Sequence, residues 1–363
     1  MQTSLGARVD ATRLVETLDH IFRANAQTVA TGGAPTPICI WGLHGIGKTM
    51  IVEQRARQLG WQFAMLSPAQ FEEMGDLNGL PVLSEGRTAF APPKWVPTAP
   101  GPGVLLIDDI NRADDRILRG LMQLLSESRL ASWALPERWQ IVATANPEGD
   151  EYSVTPMDDA ILSRMMHLTL AFEARAWSEW ARSAGVDPRG IEFVLSYPES
   201  VNGRRTTPRS LTQFFRTIQH IERLDQELEL VQTLALSTLD EATAAAFLAH
   251  ISGPSERLPS ADEILDATDV GKVIERLHKL TTEHGTAVDR LTVLCSRLVQ
   301  RLTKKSYQPA PNHAENLVRF LCEASLPADL LAGLHRDLLA KGPAPVKAML
   351  RDKRVAKLLM AAY

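Results

Sequence analysis

The sequence has few cysteines, no long apolar run and no excess of positive charge. Its 363 residues include three cysteines, Cys39, Cys295 and Cys322, which form neither a CxxC pair nor a metal-ligand spacing. This usage is typical of buried free thiols in a reducing compartment. No run of 18 apolar residues exists, so no membrane-spanning helix is expected. The N-terminus lacks the apolar core of a secretory signal, and we therefore expect a cytoplasmic protein.

The balance of charged residues indicates which kind of partner the protein is not expected to bind, because its net charge is negative. Lysine and arginine number 39 against 43 aspartates and glutamates, for a net charge of −4. This acidic balance, and the lack of an aromatic and basic stripe, argue against a nucleic-acid partner. Hydrophobic residues make up 45% of the chain and charged residues 23%, as in ordinary globular proteins with a sizeable core. The length predicts two or three domains.

Strands and helices alternate through the first half of the chain. Residues 10–29 have the apolar periodicity of an amphipathic helix. Five apolar stretches predict buried strands: PICIW (37–41), WQFAML (61–66), VLLID (104–108), WQIVATANP (139–147) and MMHLTLAF (165–172). Such alternation predicts an α/β fold with a parallel five-stranded sheet that helices cover on both faces. Beyond residue 172 the periodicity is helical only.

These patterns divide the chain into three parts. Residues 1–174 form an α/β domain with an N-terminal helix and an inserted segment at about 68–100. Within the insert, LPVLSEGRTAF predicts a hairpin. Residues 175–254 form a small helical domain, and residues 255–363 form a further helical region of four or five segments. No motif with recognisable chemistry lies in this last region.

The stretch GLHGIGKT (42–49) fits the phosphate-loop pattern G-x-x-x-x-G-K-[ST] between a predicted strand and a predicted helix. Its glycines let backbone N–H groups converge on phosphate oxygens, at the positive end of the helix that follows. Lys48 would reach the β- and γ-phosphates, and Thr49 would ligate Mg²⁺. We expect nucleotide contacts from the whole segment: Gly42, Leu43, His44, Gly45, Ile46, Gly47, Lys48, Thr49 and Met50.

Two carboxylates follow the buried strand in VLLIDDINRAD (104–114). Burying an uncompensated charge is costly, so Asp108 and Asp109 need partners. The phosphate loop supplies them if this strand lies beside it, as we expect. Asp108 would then face Mg²⁺ through water and complete a metal site with Thr49. Asp109 would face the water that attacks the γ-phosphate.

Five motifs follow one another in a fixed order: GLHGIGKT, VLLIDDINRAD, IVATANP, MDDAILSRM and TTPRSLTQF. Over residues 36 to about 216 they resemble the MoxR-like branch of the AAA+ ATPases, close to the dynein-related subgroup. The resemblance implies a P-loop NTPase core of the AAA+ type with a helical lid. It also implies ATP and Mg²⁺ as cofactors and ATP hydrolysis as the reaction.

The resemblance assigns roles to the residues of the first three motifs. Lys48 and Thr49 match the Walker A lysine and Mg²⁺ ligand, and Asp108 matches the metal-side acid of Walker B. Asp109 occupies the position of the catalytic glutamate. Asn146 matches sensor 1, which orients the attacking water, although an asparagine before proline also caps turns.

The resemblance also assigns roles to two arginines. Arg164 matches the arginine finger that reaches the γ-phosphate of a neighbouring subunit, although a surface arginine is the plain alternative. Arg209 matches sensor 2 on the lid, and its neighbours Arg204 and Arg205 are competing candidates for phosphate contact. Arg112 either contacts a neighbouring subunit or forms an internal salt bridge.

A finger from another subunit implies a homo-oligomeric ring, and a hexamer is the habit of the family. The resemblance further implies a chaperone or remodeller that acts with a protein partner, often one with a von Willebrand factor A domain. One departure matters, because Asp109 is a methylene shorter than the usual glutamate and could slow hydrolysis. The alternative function is therefore an ATP-gated scaffold with slow or idle turnover that recruits a partner.

Overall fold

The computed structural model describes residues 5–131, 133–147, 154–202, 204–252, 259–282, 287–304 and 307–362. The chain divides into two compact units, Met1–Trp177 and Ser178–Tyr363. The first unit is α/β and the second is helical in the part that is described. The predicted division of the helical half at residue 254 stays a prediction.

A parallel six-stranded sheet runs through the first unit. With labels in chain order, its strands lie in the spatial order β1 (Ala7–Val9), β10 (Met166–Leu170), β2 (Ile38–Trp41), β9 (Trp139–Ala145), β6 (Gly103–Ile107) and β3 (Gln62–Leu66). The five predicted strands are confirmed, and β1 adds a sixth at the edge. This strand has three residues, too few for a periodic pattern to reveal it.

Helices cover both faces of the sheet. They are α1 (Ala11–Ala30), α2 (Lys48–Gln58), α3 (Met74–Asn78), α4 (Asp115–Glu127) and the short α5 (Asp159–Leu162). Side chains of a strand alternate between faces, so a strand buried on both sides is apolar throughout. In β2, Ile38 and Ile40 pack in one core layer with residues of α1 and α2. Cys39 and Trp41 pack in the opposite layer with residues of α4.

Two small antiparallel hairpins complete the first unit. The predicted hairpin of the insert is confirmed as β4 (Leu80–Ser84) paired with β5 (Arg87–Ala91). The second pairs β7 (Arg129–Leu130) with β8 (Trp133–Ala134), just before β9. Leu80 and Leu83 of the first hairpin are 74% and 82% exposed. The insert therefore presents apolar side chains to solvent.

The described helices of the second half are α6 (Ala174–Ser183), which spans the boundary between the units, α7 (Pro188–Ser196), α8 (Pro208–Ile218), α9 (Leu228–Thr238), α10 (Glu241–Ile251), α11 (Ala261–Leu265), α12 (Val270–Thr282), α13 (Ala287–Leu302), α14 (His313–Glu323), α15 (Ala328–Lys341), α16 (Ala344–Met349) and α17 (Lys353–Ala362). The described chain after residue 258 thus has seven helices, and the expected four or five was wrong. Short helices such as α11 and α16 end at turns, and the apolar periodicity of the sequence does not show where those turns lie.

A cluster of buried aromatic rings lies in the core of the second unit. Phe193, Phe214, Phe215 and Phe247 are all fully buried, and the rings of Phe214 and Phe247 meet edge to face with centroids 4.9 Å apart. Aromatic pairs in this geometry add to the free energy gained by burial.

A buried ion pair joins α13 to the 3₁₀ turn at Pro198–Asn202 in the same unit. Arg297 Nε lies 2.7 Å from Glu199 Oε1, and both side chains are only 7% exposed. The guanidinium of Arg297 also lies 3.8 Å from the centre of the Tyr197 ring. Burial raises the pKa of Glu199, and the charge of Arg297 opposes that rise. This ion pair therefore attaches α13 to the 3₁₀ turn through two buried charged side chains.

Among the helices of the described chain, none combines the length and the apolar composition that crossing a membrane requires.

Candidate nucleotide site

The phosphate loop connects the buried strand β2 to helix α2. Two glycines of the loop have φ values well inside the left-handed half of the range, Gly45 at 67° and Gly47 at 105°. Side chains with a Cβ rarely adopt this conformation, so glycine is the residue that suits both positions. Gly47 is the N-cap of α2, whose first residue is Lys48. The first N–H groups and the positive end of the helix therefore face the loop, which is the arrangement that binds phosphate.

The ammonium of Lys48 is held inside the loop. Its Nζ donates to the carbonyl oxygens of Gly42 and Leu43 over 2.8 and 3.2 Å, and to Asn146 Oδ1 over 3.0 Å. The residue is 6% exposed, so these acceptors compensate the loss of water around its charge. A bound phosphate would offer anionic acceptors to the same ammonium.

The remaining loop residues are divided between core and surface. Ile46 packs against the apolar layer that contains α1 and α2. His44 is exposed, and Met50 on the first turn of α2 is 37% exposed.

Cys39 lies on β2 just before the loop, and burial raises the pKa of its thiol well above the ordinary value, although the charge of Lys48 opposes the rise. This cysteine is therefore an inert core residue.

Asp108 meets the phosphate loop at the end of β6. The hydroxyl of Thr49 donates to Asp108 Oδ1 over 2.6 Å, and the hydroxyl of Thr144 donates to the same oxygen over 2.8 Å. The expectation that this strand lies beside the loop needs one correction, because β9 separates β6 from β2 in the sheet. Contact is made by the side chains at the strand ends.

Asp109 diverges from its neighbour because its backbone is left-handed, with φ 50° and ψ 49°. Aspartate tolerates this conformation better than most residues do. Asn146 Nδ2 donates to Asp109 Oδ1 over 2.9 Å, and Arg112 Nε lies 3.2 Å from Asp109 Oδ2. Arg112 therefore forms the internal salt bridge, one of the two alternatives that the sequence left open. Both carboxylate oxygens of Asp109 have a partner.

Asn146 is fixed by a second asparagine. Asn111 Nδ2 donates to the carbonyl of Asn146 over 2.8 Å, and the N–H of Asn146 donates to Asn111 Oδ1 over 3.0 Å. Asn146 is fully buried and Asn111 is 1% exposed. This places the amide of Asn146 between Lys48 and Asp109, with a hydrogen bond to each.

Sequence reasoning missed Asn111 and Thr144. Each lies inside a quoted motif, Asn111 in VLLIDDINRAD and Thr144 in IVATANP. Their partners are backbone groups and residues distant in the chain. The available signal was the alternation in β9, which places Thr144 two residues before Asn146 and hence on the same side of the strand.

The oxygen atoms at Thr49 and Asp108 fit a magnesium ion. Mg²⁺ takes oxygen ligands and is commonly held by one or two carboxylates together with substrate phosphates. A threonine hydroxyl and a carboxylate 2.6 Å apart, beside a phosphate loop, are such a set. The residues that the structure describes contain no cluster of three or more His, Cys, Asp or Glu able to hold a metal ion.

Arg164 lies just beyond α5. Its Nε donates to Ser126 Oγ over 2.7 Å, and its Nη1 donates to the carbonyl of Ala160. Within the described chain, none of its hydrogen bonds goes to the phosphate loop. Arg164 therefore does not serve the loop of its own chain in this structure.

The second unit contains the other candidate arginines. Arg205 Nη2 donates to the carbonyls of Leu236 and Ser237, over 3.1 and 2.9 Å, at the end of α9. Arg209 lies in the first turn of α8, where it is exposed and has no hydrogen bond to another described residue. Arg205 is therefore committed to the fold of this unit, whereas the guanidinium of Arg209 is available.

The fold and the site define a P-loop nucleotide-binding domain. A strand, a glycine loop and a helix place a lysine and a threonine next to two acids and an asparagine at the carboxyl ends of parallel strands. Residues 37–165 match the family model of the AAA domain, dynein-related subfamily, and this segment belongs to that family of AAA+ ATPase domains. The comparison with curated proteins gives no match.

Solved structures give weaker likenesses. The chain is 14% identical to the Holliday junction branch migration motor RuvB of Thermotoga maritima, with a TM-score of 0.36 over 94% of this chain and 90% of that one. It is 15% identical to NtrX from Brucella abortus in complex with ADP, with a TM-score of 0.40 over 91% of this chain and 68% of that one. Both TM-scores are below 0.5, so neither likeness carries an argument about function.

Proposed function

We propose that the protein is a Mg²⁺-ATP-dependent AAA+ ring ATPase of the MoxR-like kind, which remodels a partner protein or complex. The observation that carries the proposal is the chain of contacts from Lys48 through Asn146 to Asp109. It joins the group that would bind the β- and γ-phosphates to the acid that would activate water. A mere nucleotide-binding loop has no need of this connection.

In this proposal, each residue of the site has one task. Lys48 and the loop N–H groups bind the phosphates, while Thr49 and Asp108 hold Mg²⁺, which would neutralise charge on the phosphate oxygens. Asn146 orients the water, and Asp109 accepts its proton. Arg209, which has no hydrogen bond to another described residue, would bind nucleotide as sensor 2.

Hydrolysis shared between subunits is supported by Arg164. Its bonds to Ser126 and Ala160 leave it away from the loop of its own chain. A guanidinium on the surface can instead enter the site of a neighbour, and an arginine finger of this kind strongly accelerates phosphoryl transfer. Such a head-to-tail interface closes into a ring, and we propose a hexamer.

The partner is proposed to be a protein, and a von Willebrand factor A domain protein is the candidate that the MoxR-like resemblance supplies. The exposed Leu80 and Leu83 of the hairpin support a protein contact, because exposed apolar side chains favour burial against a partner. The net charge of −4 still argues against nucleic acid. We propose a cytoplasmic location, because the three cysteines are free thiols, as is usual in a reducing compartment.

The first experiment measures steady-state ATP hydrolysis against protein concentration, with Lys48→Ala as the blank. A specific rate that climbs with concentration is expected, because sites would be completed only on assembly. Mixing Lys48→Ala chains with Arg164→Ala chains should restore part of the activity, since one supplies the finger and the other the intact loop. A mixture no more active than its components would rule out shared sites.

A second candidate function, the ATP-gated scaffold with slow turnover, is favoured by Asp109. Its side chain is short, and Asn146 and Arg112 occupy both of its oxygens. On this reading, ATP binding would fix an assembly that recruits a partner, and hydrolysis would only reset it. A sharp rise in turnover in Asp109→Glu, with partner binding unchanged, would favour the scaffold over the motor.

A further inference from the structure

The hydroxyl of Thr144 lies between the two acids of the site. It donates to Asp108 Oδ1 over 2.8 Å and accepts the backbone N–H of Asp109 over 2.8 Å. Thr144 is fully buried on β9, two residues before Asn146. A hydroxyl can donate and accept at once, and this one does both with consecutive residues of the same chain segment.

The two contacts explain how neighbouring carboxylates come to face different partners. The left-handed backbone at Asp109 turns its side chain toward Asn146, and such a conformation persists where surrounding bonds hold it. The bond from the Asp109 N–H to Thr144 is one of those bonds. Asp108 Oδ1 accepts hydrogen bonds from the hydroxyls of both Thr144 and Thr49. Its Oδ2 accepts no hydrogen bond from the other described residues.

We propose that Thr144 is a positioning residue, which fixes Asp108 toward the metal and Asp109 toward the attacking water. The inference rests on the proposed function, since it says which residue holds both acids in position for that reaction. The hydroxyl of Thr144 bonds to both acids and would act through them by setting the direction of their side chains, as partners of metal ligands do elsewhere.

A purely structural threonine would satisfy its own hydroxyl and stabilise β9, with no effect on metal use. The two roles differ in what a loss of the hydroxyl changes. If Thr144 only supports the strand, removal lowers the melting temperature and leaves the kinetics of the folded protein unchanged. If it positions the acids, removal changes the Mg²⁺ dependence and the turnover number of folded protein.

The test compares Thr144→Val, which keeps the shape and loses the hydroxyl, with Thr144→Ser, which keeps the hydroxyl. We expect kcat of Thr144→Val to fall about 10- to 100-fold and half-saturation to need more Mg²⁺, while Thr144→Ser stays close to wild type. Binding of ATP without Mg²⁺ should not change, because Lys48 and the loop are intact. The matched control is Thr169→Val on β10, whose hydroxyl donates to the carbonyl of Leu5 over 2.7 Å.

Two further experiments test the proposal if the first comparison cannot be made. If Thr144→Val does not fold, Thr144→Ser is compared with Thr144→Cys, which is similar in size but a poor hydrogen-bonding partner. If the wild type proves not to hydrolyse ATP, hydrolysis fails as a function, and Thr144 is tested by the Mg²⁺-dependent gain in affinity for a non-hydrolysable ATP analogue. Thr144→Val with wild-type kcat, or with a wild-type Mg²⁺ gain in that second case, would overturn the proposal, as would equal activity of the serine and cysteine variants.

Discussion

Asn146 Nδ2 donates to Asp109 Oδ1 over 2.9 Å, while Oδ1 of the same amide accepts from Lys48 Nζ over 3.0 Å. One side chain thus contacts both the phosphate-binding lysine and the acid in the base position. If the site hydrolyses ATP as proposed, this amide would connect the lysine that binds the γ-phosphate to the base.

We expect Asn146→Ala to lower the turnover number about 100-fold and to lower ATP affinity much less. The reason is that the amide orients groups for the reaction, while the loop N–H groups still hold the phosphates. The measurements are steady-state hydrolysis and equilibrium binding of ATP. Asn25→Ala is the matched control, since Asn25 is a buried asparagine of the same unit that bonds to Thr36 and Gln140. A comparable loss of turnover in the control would point to general loosening of the fold.

Asp109→Asn is expected to abolish measurable hydrolysis while leaving Mg²⁺-ATP binding intact. Its Oδ1 can still accept from Asn146, while the proton acceptor is lost together with the ion pair to Arg112. Single-turnover hydrolysis with excess protein gives the rate, and binding is followed separately. Asp115→Asn, an exposed change in the first turn of α4, should behave like wild type. Substantial turnover in Asp109→Asn would show that another group accepts the proton.

Removing Arg297 should strongly destabilise the second unit. Breaking a buried ion pair by removing one partner costs about 3–5 kcal/mol, and Arg297→Ala removes the guanidinium that pairs with the buried Glu199. Urea unfolding at pH 7.5 gives the loss of free energy of unfolding. Arg354→Ala is the control, because its pairs with Glu315 and Asp352 are exposed, and we expect little change there.

The same variant should lose less stability at pH 5 than at pH 7.5. Burial raises the pKa of Glu199, and removing Arg297 takes away the largest effect that opposes that rise. A folded-state pKa above the unfolded value favours the fold at low pH, and this contribution is lost as pH rises through the folded-state pKa. Comparing urea midpoints at the two pH values checks the sign. A loss that grows toward low pH would contradict the burial of a charged Glu199.

Thiol labelling should distinguish the three cysteines. Cys322 is half-buried, whereas Cys39 and Cys295 are buried. Burial raises the pKa of Cys295 to about 12 and raises the pKa of Cys39 still further, so both stay protonated and unreactive. We expect one thiol to react with Ellman's reagent in the native protein at pH 8, and all three after unfolding.

The pH dependence of that reaction has a definite sign. Burial also raises the pKa of Cys322, so its thiolate fraction at pH 8 is small and grows with pH. The labelling rate should therefore increase from pH 7 to pH 9, and Cys322→Ser should remove the native reaction altogether. Native labelling that persists in Cys322→Ser would mean that a buried cysteine is accessible.

The sequence predicted the five inner strands well because each is short, apolar and bounded by polar turns, as β2 and β6 show. The hairpin at Leu80–Ser84 and Arg87–Ala91 was likewise marked by the glycine between its strands. The edge strand Ala7–Val9 was missed because alanine, arginine and valine in a row have no distinctive periodicity. Its place in the sheet depends on pairing with Met166–Leu170, which lies far along the chain.

For the site, motif order predicted Lys48, Thr49, Asp108 and Asn146, and the structure brings Lys48 to Asn146 and Thr49 to Asp108. Motif order did not reveal that β9 lies between β2 and β6, since strand order depends on packing across the whole sheet. Thr144 and Asn111 were missed for the same reason. Their partners are 36 and 35 residues away, and only the fold brings them together.

The central position of β9 leaves it little tolerance for insertions or deletions. Thr144 and Asn146 alternate with Ala143 and Ala145, and a strand that slips by one residue turns every side chain to the opposite face. A single inserted residue within Trp139–Ala145 would bring the methyl groups of alanines to the places of a hydroxyl and an amide. The length of this strand, as much as its composition, therefore specifies the site.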